Sequence, residues 1–313
     1  MMNQLHSVKA FAPATSANVA VGFDILGFAV ADLGDEVTLV KSAEQKIKIT
    51  SISCPDTLSC DLDKNTATVA VQAMLRYLNL NQGFHISIKK NIPLSSGLGG
   101  SAASSVAALV ALNKFLIKPL TNEQLIEFAL MGEEAACGAK HGDNVIPCLF
   151  GGMTLLQSLS PIRIIALPVL PLHVVLIHPH LRLDTREARA ALKHNIRLSV
   201  VTKQNANLAA FISALYEQDY ERLEAACIDE LIEPMRAHLI PYFYEVKAAA
   251  YQEGALACSI SGSGPTLFAF AKTAKQARKI AEQMTISFNK IGIPSDTIIT
   301  TISSQGARVI DEH

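Results

Sequence analysis

The stretch PLSSGLGGSAASSVAAL, from Pro93 to Leu109, crowds Ser95, Ser96, Gly97, Gly99, Gly100 and Ser101 ahead of an alanine-rich run. Glycines let a backbone take positive φ and lie close against a ligand. Alanines suit a helix packed tightly on its neighbours. A helix entered from such a loop directs uncapped N–H groups and the positive end of its dipole outward, which is a site for phosphate. The same small residues would also serve close packing alone. No Gly-Lys-Ser or Gly-Lys-Thr follows and the spacing is not GxGxxG, so this is neither a Walker loop nor a Rossmann turn.

Three other groups of residues could do chemistry. Glu133, Glu134, Lys140, His141 and Asp143 fall together in GEEAACGAKHGDN, where the glycines and alanines argue for a closely packed functional turn rather than a solvated charged face. Asn18 and Asp24 stand among small residues in APATSANVAVGFDILG, which reads as a loop between short strands. Arg189 in TREARAAL and Arg236 in EPMRAHLIP are isolated arginines among apolar or small residues, the pattern of either a packed surface stem or an anion grip. Near the C-terminus, SISGSGPTLFAF sets Gly262 and Gly264 in a tight turn between apolar strands.

The elements that must position these residues follow from periodicity. Strands are expected at 36–40, 46–52 and 84–89, with a helix over 66–80 for which Asn65 is an N-cap candidate. The strand FHISIK feeds the glycine loop, and the helix after it runs to about Phe115. A further helix opens at Thr121 with a capping box to Gln124. Beyond Gly152, strands at 153–156 and 163–167 precede a second half with a strand at 173–178 and helices over 185–192, 201–215, 220–231 and after Pro241. That half closes with strands at 255–261 and 266–270, a helix at 274–291 and a strand at 296–302. Without its extra helices it reads βαββαβ, a ferredoxin-like order.

Bulk composition bounds the answer. The chain has 313 residues, half of them hydrophobic, and a net charge of -1. It can bury a large core in two domains, divided here as 1–160 and 161–313. Its balanced charge offers no field for nucleic acid or an anionic membrane. The six cysteines show no CxxC or zinc spacing and read as reduced thiols. The N-terminus lacks the features of a signal peptide and no apolar run spans a bilayer, so a cytoplasmic protein with a small-molecule partner is expected.

Three motifs in order, PATSANVAVGFD, PLSSGLGGSAASS and SGSGPT, resemble the GHMP kinase family, and the likeness extends from Phe11 to about Ile302. The segments APATSANVAVGFDILG, GAKHGDNVIPCLFGG, TREAR and EPMRAHLIP point to its members that phosphorylate L-homoserine. The resemblance implies an α+β fold, with an N-terminal domain like ribosomal protein S5 domain 2 and a ferredoxin-like C-terminal domain. It implies ATP and Mg²⁺, L-homoserine as acceptor, and O-phospho-L-homoserine, a step toward threonine, as product. It is compatible with a homodimer.

Carried over by motif position, ATP is expected at Asn65 and along Pro93, Leu94, Ser95, Ser96, Gly97, Leu98, Gly99, Gly100, Ser101, Ala102 and Ala103. Ser101 and Glu133 are expected to hold Mg²⁺, a hard ion that prefers oxygen. Arg189 and Arg236 would grip the homoserine carboxylate, Asn18 and Asp24 its ammonium, and His141 and Thr185 would complete the pocket beside Gly262 and Ser263. Asp24 and Asp143 are the carboxylates that could instead serve as a base, although a loose phosphoryl-transfer transition state needs little prior deprotonation. Ala20 replaces a glycine common in the first motif and Gly100 a serine common in the second. Within the same class, mevalonate, a sugar or shikimate is the rival acceptor; outside it, the rival is a non-catalytic nucleotide or amino-acid sensor.

Overall fold

The structure, a computed structural model, describes all residues except 55–57, 139 and 194, and the side chains of 136 and 137 are likewise outside the description. Its first half contains β1 (Ser7–Ala17), β2 (Leu26–Ser42), β3 (Ile47–Ser53), α1 (Thr66–Tyr77), β4 (Gly83–Lys89), α2 (Gly100–Lys114), α3 (Asn122–Cys137), α4 (Gly142–Phe150), β5 (Met153–Leu159) and β6 (Ile162–Leu167). These form a seven-stranded sheet in the order β11-β1-β2-β4-β3, with β5 paired to β2 and β6 to β5, where β11 (Arg308–Glu312) is the last strand of the chain. Among the described residues only β3 and β4 pair in parallel, and they are joined through α1. Among the described residues no helix is long and apolar enough to cross a membrane.

The second half continues with β7 (His173–Pro179), α5 (Thr185–Ala190), α6 (Leu198–Glu217), α7 (Tyr220–Ala226), α8 (Glu233–Arg236), α9 (Phe243–Gln252), β8 (Ala257–Ile260), β9 (Leu267–Ala271), α10 (Ala274–Asn289) and β10 (Ser295–Thr301). Its antiparallel sheet has the order β10-β7-β9-β8, the strand order of the ferredoxin-like βαββαβ unit expected from the sequence. Phe243, Val246, Met284 and Phe288 of α9 and α10 pack on one face of this sheet. Phe268 and Phe270 on its other face meet Phe28 of β2, with ring centroids 6.1 and 5.6 Å apart, so the two sheets share a core. The α+β reading therefore holds.

Local signals explain most of the elements. Asn65 caps α1 by accepting from the Ala67 N–H at 3.1 Å, and Thr121 and Gln124 form both halves of the expected capping box. The helix α2 is buried along most of its length, and its alanines let α1, α3 and the first sheet pack closely around it.

Other expectations need correction. The presumed loop at 12–27 is strand as far as Ala17, so only 18–25 loops. The presumed functional turn at 132–144 is largely helical: Glu133 and Glu134 lie on the last turns of α3 and Asp143 on the first turn of α4, while Ala139 lies outside the described residues. The helix begun at Tyr220 stops at Ala226 rather than Leu231. A cut at residue 160 passes through the β5–β6 hairpin, because β6 and β11 both belong to the first sheet.

Candidate active site

A cleft of about 340 Å³ opens where the glycine loop, the first-motif loop and the SGSGP turn converge. The loop before α2 has φ of +53° at Ser95, +76° at Gly97 and +65° at Gly99. Gly99 occupies the N-cap of α2 and has no side chain to offer, so the N–H groups of the first turn remain uncapped. A Cβ at Gly99 would lie 2.0 Å from Thr15 Oγ1, which is why the loop needs glycine at this point.

Pro93, Leu94, Ser95, Ser96, Gly97, Gly99, Gly100, Ser101 and Asn65 all line the cleft. Leu98, Ala102 and Ala103 do not: their side chains are buried in the core, which leaves them only backbone groups to contribute. Asn65 faces the cleft and caps α1 at once, so its two readings are compatible.

Behind the loop, Lys90 is buried against Asp35 and donates to Gly100 O (2.6 Å) and Ser104 Oγ (3.0 Å). Asp35 also accepts from the Asn91 and Ile92 N–H groups (3.0 and 3.1 Å). This network ties the end of β4 to the start of α2. Sequence reasoning passed over Lys90 because its partner lies 55 residues away.

At the other end of the cleft the backbone takes three successive left-handed residues, Asn18, Val19 and Ala20, with φ of +71°, +45° and +60°. The Asn18 amide braces this turn. Its Oδ1 accepts from the Asp24 N–H (3.0 Å) and its Nδ2 donates to Gly262 O (2.7 Å). Gly262 O also accepts from Arg236 Nη1 (3.2 Å), and Ser261 Oγ donates to Gly97 O and pairs with the Ser16 hydroxyl, both at 2.9 Å. The three motifs are thus hydrogen-bonded into one unit.

Charge is concentrated at this end. Arg189 Nη2 donates to both oxygens of Asp24 (2.8 and 2.9 Å) and lies 3.2 Å from His141 Nδ1. Burial, then the Arg189 charge, hold His141 below its ordinary pKa, so the neutral ring accepts from Arg189 through Nδ1. Arg236 is 3% exposed and donates from Nε to Ala188 O (2.9 Å). Phe23, another residue missed from sequence, lies under both guanidiniums, 5.6 Å from Arg189 and 5.2 Å from Arg236. Thr185 Oγ1 is 3.3 Å from Ser263 Oγ at the rim.

Two buried acids lie between the loop and this charged end. Glu133 is 3% exposed and its Oε1 has no hydrogen-bond partner. Burial pushes its carboxyl up to about 7, against the opposing pull of the Ser101 hydroxyl and the Lys90 charge. Asp143 is also raised to about 7, by burial and then by the charges of Asp24 and Glu133. An unpartnered carboxylate oxygen beside a serine hydroxyl and a phosphate-sized loop is a donor set suited to Mg²⁺, which takes one or two protein oxygens and completes its shell with water and phosphate.

Comparison with known proteins agrees with this geometry. Residues 65–152 match the GHMP kinases N terminal domain and residues 211–290 match GHMP kinases C terminal. A homoserine kinase of Chlorobium phaeobacteroides (strain BS1) is 42% identical over 98% of this chain and all of its own length. One from Xylella fastidiosa (strain M12) is 42% identical over 97% of this chain and 94% of its own. The crystal structure of homoserine kinase from Cytophaga hutchinsonii superposes with a TM-score of 0.95 at 43% identity, covering 99% of each chain. By sequence and by structure alike, the chain belongs to the homoserine kinase branch of the GHMP kinase family.

Proposed function

We propose that this protein transfers the γ-phosphoryl group of ATP to the side-chain hydroxyl of L-homoserine, giving ADP and O-phospho-L-homoserine, a step toward threonine. The observation that carries the reading is one cleft with an uncapped helix N-terminus at one end and charges of both signs at the other. A neutral sugar or an alcohol with a single charge would not need both. Solved kinases for mevalonate and galactose are 14–19% identical to this chain and speak to the fold alone.

In this reading the loop from Pro93 to Ser101 cradles the triphosphate with backbone N–H groups, and Asn65 lies beside the nucleoside. Lys90 holds the loop from behind. Ser101 and Glu133 would hold Mg²⁺, which when bound neutralises phosphate charge. Arg189 and Arg236 take the amino-acid carboxylate and Asp24 the ammonium, with Asn18 bracing Asp24 rather than standing free beside it. His141 and Thr185 close the pocket walls. Substrate binding replaces the Asp24–Arg189 pair by one pair at each end of the zwitterion, so the cleft keeps its charges matched.

Phosphoryl transfer then rests on positioning and charge neutralisation, with little covalent help from the protein. Asp24 is committed to ion pairing, and no dedicated base is required. The test is ADP release coupled to a reporter, comparing L-homoserine with L-serine, L-threonine and mevalonate. Turnover with L-homoserine well above the others is expected; an absence of ADP formation with L-homoserine and Mg²⁺ would return the chain to the class of sensors.

A further inference from the structure

Arg236 ends α8, a helix of one turn. So short a helix has no stability of its own, because nucleation costs more than its few hydrogen bonds return. Yet its guanidinium is buried and aimed at the cleft, where it donates to the carbonyls of Ala188 and Gly262 and rests on the Phe23 ring. Something behind the turn must set its direction.

Two acids lie there. Asp229 caps the turn, accepting from the N–H groups of Leu231, Ile232 and Glu233, each at 2.9 Å. Glu233, 6% exposed and three residues before Arg236, accepts from Lys247 Nζ of α9 at 2.5 Å and from Ser259 Oγ of β8 at 2.7 Å. A void of about 10 Å³ is lined by Glu233 and Ser259 together with Asn18, Gly262 and Arg236, which also line the cleft. The buried cluster and the charged end of the cleft therefore share a wall.

A buried ion pair is a poor source of stability, since desolvation offsets most of the attraction and apolar residues of similar volume would hold the turn as well. What this pair supplies is direction. Two oxygens of one carboxylate, fixed by two different elements, prevent α8 from rotating about its axis. We infer that Glu233, held by Lys247 and Ser259, is a positioning residue that sets the Arg236 guanidinium where it meets the carboxylate of the substrate. The inference rests on the proposed reading of Arg236 as a carboxylate grip.

The experiment is a double-mutant cycle on the full chain with Glu233→Gln and Arg236→Met, read as KM for L-homoserine, KM for ATP and kcat, with folding checked by circular dichroism. Glu233→Gln keeps the volume and weakens the hold of Lys247. It is expected to raise the homoserine KM about tenfold while the ATP KM and kcat stay within about threefold. In the Arg236→Met background the same change should add less than about twofold, because the group it positions is gone. Ser259→Ala, which removes a single hydroxyl, should shift the homoserine KM in the same direction and serves if Glu233→Gln does not fold.

If Arg236→Met leaves the homoserine KM unchanged, the reading of Arg236 is wrong. If Arg236→Met raises that KM but the Glu233 and Ser259 variants do not, or if the effects simply multiply, the reading of Arg236 stands and the positioning role is refuted. A fall in melting temperature with no selective rise in KM would likewise mark Glu233 as merely structural.

Discussion

Replacing Asp24 by Asn separates a substrate grip from a catalytic base. The change keeps the shape of the side chain and removes its charge, so the group proposed to meet the ammonium becomes a neutral carbonyl. A hydrogen bond to a charged group contributes about 1.5–3 kcal/mol, and a neutral acceptor roughly half as much. The two guanidiniums left beside the ammonium, Arg189 and Arg236, add repulsion that Asp24 now screens. Against this, the empty enzyme also loses its Asp24–Arg189 pair, with side chains 38% and 39% exposed. A pair so exposed is worth only about 0–1 kcal/mol, and its loss slightly eases substrate entry. With that repulsion worth about 1–2 kcal/mol at this exposure, the net cost is about 2 kcal/mol, which is roughly a 30-fold rise in the homoserine KM.

Steady-state kinetics at saturating ATP decide the matter. The expected result is that KM rise with kcat changed by less than about threefold. As a control, 4-hydroxybutyrate lacks the ammonium and would leave Asp24 unpaired in the parent, so the variant should bind it at least as tightly as the parent in a competition assay. General-base catalysis contributes about 10²–10⁴-fold. A collapse of kcat by that factor at unchanged KM would refute the argument and make Asp24 the proton acceptor.

Three other outcomes follow from the site. Ser101→Ala should lower affinity for Mg²⁺ by about tenfold or more with a melting temperature close to the parent, since the hydroxyl would serve the ion rather than the fold; metal titration of the activity, with a parallel melt, checks it. Gly99→Ala should abolish nucleotide binding and destabilise the protein by about 1–3 kcal/mol, because a Cβ there collides with Thr15 Oγ1 in a left-handed backbone; equilibrium unfolding and nucleotide titration read both effects. Asp143 is raised from 3.8 to about 7, so the folded state favours its protonated form, and its contribution to stability is present below about pH 4 and lost as pH rises through 7. Melting curves from pH 5 to 8 should therefore fall less steeply for Asp143→Asn, and an unchanged slope would mean that the buried carboxyl is already ionised.

The parts of the fold that could be read from sequence are those whose cause is local. Asn65 and Thr121 announce helices through their own side chains, and the glycines before Ser101 announce a loop whatever surrounds them. The order of strands and helices after residue 173 was enough to give the ferredoxin-like sheet. Breakers concealed other elements. Asn18, Asp24 and their small neighbours made the end of β1 look like loop, although its pairing with β2 continues to Ala17 with a register shift between Pro13 and Thr15. Pro147 and Gly142 disguised α4. Pro147 has no N–H to bond the Asp143 carbonyl, and that carbonyl instead packs against Gly27, where a Cβ would lie 1.9 Å from it. The turn that presents Asp143 is therefore set by β2, far away in sequence, and no local pattern reveals it.

The same distinction explains why each motif was ambiguous alone and specific as an ordered set. Alone, SGSGP is a hairpin turn and Asn18 a turn former. In the folded chain Gly262 O receives Asn18 from the loop between β1 and β2 and Arg236 from α8, while Ser261 joins Ser16 to Gly97 of the glycine loop. The separation between the phosphate end of the cleft and its charged end is thereby fixed by hydrogen bonds that span 164 to 245 residues of chain. A kinase that relies on alignment rather than a strong base needs this separation held closely, since misplacing the reactants by even an ångström can cost about 10²-fold in rate. On the proposed mechanism the third motif would serve catalysis by joining the two ends, and an insertion in it should lower kcat more than it weakens the binding of either substrate.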